Sequence, residues 1–208
     1  MQGSEVFFKS DILFVDHLNT DSSEELSLIN DFHVSIPEGQ GLAAYLKHDA
    51  RNDELAHRMR TYLIKDCDTK ECVGYFSLKA GLVSVNESEV DIIDWSSGNS
   101  EVIREFDTLP GVEIANFALN SRYIRKYSLK PGMGKIIFSE FIIPIIRKVS
   151  EQIGVRMIYI FSLPYERLIR RYEKYGFRKL SDEAENNLHK RLKPRYDKSC
   201  IFMYQLVS

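Results

Sequence analysis

Cysteine is scarce in this 208-residue chain: Cys67, Cys72 and Cys200 are all there is. Cys67 and Cys72 stand too far apart for a Cys-x-x-Cys pair and have no further ligands beside them, which speaks against a zinc site and for reduced thiols. A long hydrophobic run is also missing. The longest, Ile136 to Ile146, is broken by Ser139 and Glu140 and is too short to span a bilayer. No basic-then-apolar leader opens the chain, which starts MQGSEVFFKSD. Neither sign of charge dominates, with 28 Lys and Arg against 30 Asp and Glu, so the overall charge of −2 does not advertise a nucleic-acid partner. Internal repeats and low-complexity linkers are absent. These absences set the expectation of a cytoplasmic protein with no metal and no membrane partner, and they make a nucleic-acid partner the less favoured expectation without excluding one.

What is present suits one globular domain with a sizeable core. Hydrophobic residues make up 44% and charged residues 28% of 24.2 kDa. Val6–Val15 reads as one strand, or two broken at Lys9-Ser10-Asp11. Ser22 followed by Glu25 is a capping box opening a helix. Phe32–Gly41 is expected as a loop and Leu42–Lys47 as a short helix. Tyr45, His48 and His57 in this region could suit a substrate lip, but a surface aromatic and solvated histidines are the commoner outcome. Arg60–Lys65 and Cys72–Lys79 flank the polar turn Asp66–Glu71 as a β-hairpin. Residues 82–108 read as an insertion: a strand over Leu82–Ile93, a turn at WSSGN, a short helix over Asn99–Phe106, then a Leu109-Pro110-Gly111 turn. This segment is a candidate for shaping an acceptor pocket or carrying a homodimer contact.

The most informative stretch is Gly111 to Ile146. An apolar strand over Val112–Leu119 runs into a basic loop with Arg122, Arg125, Lys126 and Lys130. The loop ends in Gly132-Met133-Gly134, and a helix with apolar residues three and four apart follows. Glycines at a helix start let backbone N–H groups approach an anion, and the helix dipole favours negative charge there. The same pattern is also that of an ordinary turn and N-cap. It is not a Walker A loop, because no Gly-Lys-Ser/Thr ends it, and the third glycine of a dinucleotide fingerprint is missing. Val155–Phe161 reads as a further strand. A helix over Tyr165–Lys174 follows, with Pro164 at its first turn and Gly176 as its C-cap. Asp182–Lys193 is a polar helix or loop, His189–Arg195 is a basic run, and Cys200–Val207 is a last strand. Strands alternating with helices, after an N-terminal hairpin, argue for an α/β or α+β layered fold.

Three of these segments together resemble the GNAT superfamily of acyl-CoA-dependent N-acyltransferases. LKPGMGK is similar to that family's pyrophosphate loop, Gln/Arg-x-x-Gly-x-Gly/Ala, at Gly132 and Gly134. YEKYGF, Tyr172–Phe177, is similar to its Tyr-Glu-Lys-x-Gly-Phe helix ending. EIANFAL, Glu113–Leu119, is similar to the acidic-then-apolar strand of its histone acetyltransferase branch. The resemblance implies a GNAT fold: a central mixed, mostly antiparallel sheet, splayed fourth and fifth strands, and helices on both faces. It also implies acetyl-CoA as co-substrate and an amine as acceptor, an amine-bearing small molecule or peptide being favoured without excluding an aminoacyl-tRNA. Phe117, Ala118 and Leu119 would then hold the pantetheine and the thioester carbonyl. Gly132, Met133, Gly134 and Lys135, with Lys130 beside them, would hold the pyrophosphate. Tyr172 would serve as general acid and Glu113 as base. Two departures stand out: Leu129 occupies the Gln/Arg position, and Tyr165 replaces an Asn that usually contacts the coenzyme arm. They leave room for a catalytically idle module of the same fold that binds acyl-CoA or a partner.

Overall fold

A computed structural model describes residues 6–84, 92–93, 100–101, 108–129, 132–192 and 198–207. The expected strand over Leu82–Ile93, the WSSGN turn and the helix over Asn99–Phe106 fall largely outside these residues, as do residues 193–195 of the basic run. So does Lys130. The chain divides into two compact units, Met1–Lys79 with Ile114–Ile145, and Ala80–Glu113 with Ile146–Ser208.

In the first unit, β1 (Val6–Lys9), β2 (Leu13–His17), β3 (Arg60–Asp66) and β4 (Cys72–Ser84) pair in sequence as an antiparallel meander. The break at Lys9-Ser10-Asp11 is thus real and makes two strands. Helices α1 (Ser23–Asn30), α2 (Gln40–His48) and α3 (Ala50–Leu55) intervene between β2 and β3, with a 3₁₀ turn over Pro37–Gly39. Sequence reading missed α3, whose six residues are too few for a periodic signal. The capping box is only half formed. Ser22 Oγ accepts the Glu25 N–H at 3.2 Å, but the Glu25 carboxylate turns inward to the Asn19 N–H (2.8 Å) and Lys65 Nζ (2.6 Å). Ile29, Phe32, Leu46, Leu63 and Tyr75 lead the core on this side. Tyr45 belongs to that core rather than to a lip, because α2 turns Tyr45 and Leu46 to the same buried face.

β7 (Thr108–Leu119) passes through both units, as does β4. The expected turn at Leu109-Pro110-Gly111 is instead part of this strand. Pro110 has no N–H to give, but its carbonyl accepts the Arg156 N–H at 2.9 Å. β5 (Ile92–Ile93) and β6 (Ser100–Glu101) form a separate two-stranded ribbon.

Within the second unit, β7 pairs in parallel with β8 (Met157–Ser162), from Gly111–Met157 to Glu113–Tyr159. β8 pairs antiparallel along its length with β10 (Ile201–Leu206), which also takes the short β9 (Arg178–Lys179). Helices α7 (Glu166–Lys174) and α8 (Asp182–Arg191) also belong to it. The core here sets three aromatic residues, Tyr159, Phe202 and Tyr204, among Val83, Leu109, Met157 and Leu188.

Candidate functional site

The C-terminal half of β7 does not keep a strand's strict alternation. Ala115 and Ala118 both pack into the core shared with α1 and α2. Phe117 and Leu119 turn the other way. The Phe117 ring lies 6.3 Å from that of Phe138, and a Cβ on Gly134 would sit 3.7 Å from Leu119 Cδ1. Two inward residues three apart mean that the pattern slips by one, as it does at a β-bulge. A bulge re-aims backbone groups and side chains next to a site. Gly74 on β4 accommodates the slip, since a Cβ there would meet the Ala118 carbonyl oxygen at 2.9 Å.

Asn120 ends the strand, and sequence reading had passed over it. It is buried, and it ties three segments together. Its backbone N–H donates to Val73 O (2.8 Å) and its side-chain amide to Cys72 O (3.0 Å), while its Oδ1 accepts from the His33 N–H (3.3 Å) and the Arg122 N–H (3.1 Å). The last of these bonds caps a helix within the supposed loop, α4 (Ser121–Lys126). Asn before Ser-Arg-Tyr-Ile is a recognisable N-cap signal, so α4 was open to discovery from the sequence. Helix α4 is latched to the β3–β4 turn. Tyr123 Oη donates to Asp66 at 2.5 Å, and Lys126 Nζ and Tyr127 Oη donate to Glu71 at 2.5 and 2.8 Å. Arg122 faces Asp31 at 3.4 Å. Two of the loop's four cations therefore already have carboxylate partners.

The chain re-enters helix at α5 (Met133–Ile137), passes a π-helical turn over Phe138–Ile142 and continues as α6 (Ile143–Ile153). Gly132 is the N-cap, at φ +127°, a conformation open to glycine and costly for other residues. A Cβ there would meet nothing within 4 Å among the described residues, so the glycine is required by the backbone turn rather than by crowding. The Lys135 and Ile136 N–H groups donate to the Gly132 carbonyl at 2.8 and 3.2 Å. The earlier amides, of Met133 and Gly134, belong to the first turn, which has no carbonyl behind it to accept them.

Glu113 and Tyr172 lie in the second unit. Tyr159, opposite Glu113 in the parallel pair, donates its hydroxyl to the Glu113 carboxylate at 3.5 Å. Burial first, and then the Glu113 charge, hold the Tyr159 phenol well above its usual range. Two glycines make room for this tyrosine. A Cβ on Gly81 would stand 2.1 Å from its hydroxyl oxygen, and one on Gly111 would stand 3.0 Å from its ring.

Tyr172 stands on α7, half-buried, with its ring 6.2 Å from that of Tyr175 and 5.9 Å from that of Phe177. The Phe177 N–H donates to Tyr172 O (3.0 Å) and the Gly176 N–H to Glu173 O (3.0 Å), with Gly176 at φ +90°. This is a Schellman motif, including its hydrophobic contact between the residue after the glycine, Phe177, and Tyr172 in the last turn of the helix. Helix α7 begins one residue later than expected, with Tyr165 as its N-cap and Pro164 outside it. Burial pushes the Tyr172 phenol up to about 12, so it is a neutral proton donor at physiological pH.

No family model matches the sequence, and no curated protein does. Solved structures match over nearly the whole chain. A Tyr-to-Phe mutant of the toxin AtaT superimposes with a TM-score of 0.63 at 15% identity, covering 97% of this chain and 94% of that one. AtaT complexed with acetyl-methionyl-tRNAfMet gives 0.61 at 13% identity, covering 91% and 93%. A Tyr-to-Phe mutant of KacT gives 0.60 at 13% identity, covering 92% and 94%. The chain has the GNAT fold. At such low identity the likeness is one of architecture. Within the GNAT fold β7 and β8 hold the places of the fourth and fifth strands, and their parallel pairing stops at Glu113 and Tyr159 while β7 runs on to Leu119.

Proposed function

We propose that this protein is an N-acetyltransferase that moves the acetyl group of acetyl-CoA to a primary amine by direct attack in a ternary complex. The observation that carries this reading is the one-residue slip of β7 at Phe117–Leu119, followed by a glycine-capped helix start at Gly132. In this reading Phe117 and Ala118 hold the pantetheine arm, and the Leu119 N–H receives the thioester carbonyl. That oxygen gains charge only as the amine adds, so a fixed donor there stabilises the transition state more than the ground state. The amides of Gly132, Met133 and Gly134 take the pyrophosphate, with Lys130 as an added charge, while the Lys135 N–H is already given to the Gly132 carbonyl.

The amine nitrogen forms its bond to the carbonyl carbon and loses a proton toward Glu113 through water. The tetrahedral intermediate then breaks its carbon–sulfur bond, and the coenzyme A thiolate takes the Tyr172 proton. Keeping the phenol neutral through burial serves this role. The similar protein AtaT has been solved with acetyl-CoA and with acetyl-methionyl-tRNAfMet, which supports both the acetyl donor and an amine acceptor. The acceptor is an amine on a small molecule, a peptide or an aminoacylated RNA.

Calorimetric titration with acetyl-CoA, beside ATP as control, tests the donor site. Micromolar binding of acetyl-CoA alone is expected. Absence of binding would favour the idle module that Leu129 and Tyr165 leave open; Tyr165 is 48% exposed at the start of α7. Tyr172→Phe is expected to cut turnover about 10²-fold or more while leaving acetyl-CoA affinity within about twofold. Equal loss of both would make Tyr172 a structural residue of the helix stop.

A further inference from the structure

The near-neutral charge of the chain conceals a segregation. Residues 146–208 carry 14 Lys and Arg against 7 Asp and Glu, whereas residues 1–145 carry 14 against 23. Charge asymmetry of this size between parts of one chain points to a polyanionic partner for the basic part. Part of the excess lies on one face of α7. Arg167, Arg170, Arg171 and Lys174 stand at i, i+3, i+4 and i+7, so at 100° per residue they share one stripe, and all four are exposed. Ile169, buried, and Leu168 and Tyr172, half-buried, take the opposite side of the helix. Of the two carboxylates on α7, Glu166 holds Arg170, in an exposed pair, and Glu173 is also exposed. Arg178 and Lys179, exposed on β9 just after the helix, add to the same charge.

We propose that the α7 stripe is a docking surface for the phosphodiester backbone of a structured RNA. Charge complementarity favours a polyanion, and arginines rather than lysines dominate the stripe. Their planar forks match phosphate oxygens in pairs and lose less on leaving water. Seven residues of helix extend about 10 Å, long enough to follow a backbone rather than to grip one isolated anion. RNA is favoured over DNA by the chemistry of the proposed acceptor, a step that rests on the acetyltransferase reading. An amino acid esterified to an RNA end offers an aliphatic amine, whereas the amino groups of nucleobases are poor nucleophiles and DNA carries no such ester. Tyr172 projects from the other side of the same helix, so RNA held on the stripe stays clear of the proposed proton donor.

Fluorescence anisotropy with labelled, unacylated tRNA, in the absence of acetyl-CoA, tests the surface across a salt series. The variant is Arg167→Gln/Arg170→Gln/Lys174→Gln, which leaves Arg171, the neighbour that lowers the Tyr172 pKa, in place. The wild type is expected to bind with a steep salt dependence. The variant is expected to bind about tenfold more weakly or worse, with a log–log salt slope shallower by about 2. Acetyl-CoA affinity and melting temperature should stay unchanged. Unaltered tRNA binding by the variant would overturn the proposal. So would equal competition by polyglutamate, which would mark an acidic protein surface, or by duplex DNA. Loss of acetyl-CoA affinity with normal folding would overturn it too, by giving the stripe to the coenzyme's own phosphates. If the triple variant does not fold, Lys174→Glu alone should still weaken tRNA binding by about threefold or more, and no change there would count against the stripe. RNA binding without acetyl-CoA binding would sink the acetyltransferase reading and leave the stripe standing.

Discussion

The two compact units of this protein bury polar chemistry in opposite ways. In the first, whole charges are inside. Lys65 Nζ lies between Asp16 Oδ2 (3.1 Å) and Glu25 Oε1 (2.6 Å), and all three side chains are at least nine-tenths buried. Asp16 Oδ1 has no hydrogen-bond partner among the described residues, and burial outweighs the pull of Lys65 to hold its carboxyl above the ordinary range. Glu54, also buried, collects the Thr61 N–H, Arg60 and His17. In the second unit the interior is a run of rings. Tyr159 stacks with Phe202 at 5.4 Å, and Phe161 meets both. Beside its apolar core the first unit buries ion pairs that tolerate no missing partner, while the second packs rings that tolerate no added volume. The lesson is that the two should fail in different ways.

The largest expected effect is at Lys65. Replacing it with Met leaves two buried carboxylates without their cation, and unfolding in urea should show a loss of about 3–5 kcal/mol. A loss below about 1 kcal/mol would mean that the clamp behaves like a surface pair and would erase the contrast. Adding Asp16→Leu and Glu25→Leu should restore much of the loss, because the penalty lies in the orphaned charges. Next comes overpacking of the aromatic unit. Gly81→Ala places a methyl against the Tyr159 hydroxyl and should cost about 1–3 kcal/mol. Tyr159→Phe in the same chain should relieve part of that cost, and an additive double mutant would show that the hydroxyl is not what Gly81 accommodates.

Asn120→Ala should cost about 1–2 kcal/mol through the lost cap of α4 and the lost bond to Cys72 O. Hydrogen exchange should quicken at the His33 amide, which Asn120 accepts, and unchanged exchange there would place the tie elsewhere. The smallest effect is a difference in pH response. Burial raises the Glu54 pKa, but His17, the Thr61 N–H and Arg60 more than offset this and hold it below its ordinary value. Its contribution is therefore present above about pH 4.5 and lost as pH falls. Burial pushes the Cys72 thiol from 9.0 up to about 12, so its contribution is whole below pH 9 and lost as pH rises toward 12. Melting temperature against pH should fall at both ends. Glu54→Gln should flatten the acid limb and Cys72→Ala the alkaline one; unchanged slopes would assign the limbs to other groups.

Much of the frame was legible in advance because it depends on local pattern. The β3–β4 hairpin, the strand entering Leu119, the helix after Gly132 and the last strand all follow from apolar spacing and turn residues. The ending YEKYGF is legible for a definite reason: Tyr172, Gly176 and Phe177 are the three positions that a Schellman helix stop specifies. What escaped is short or non-local. Helix α3 spans six residues, and Glu25 abandons its capping box for a lysine 40 residues away. The cations before Gly132 looked free in sequence, yet Lys126 answers to Glu71, 55 residues earlier.

The sequence by itself determined the main strands and the longer helices, because caps, glycines and hydrophobic spacing act within a few residues. It also determined the uneven distribution of charge, although the net value hid it. Only the tertiary structure decided the one-residue slip in β7, the partners of Asn120 and the buried company of Lys65. Those depend on which distant segments meet, and burial makes an unpaired charge or a crowded methyl too costly to keep.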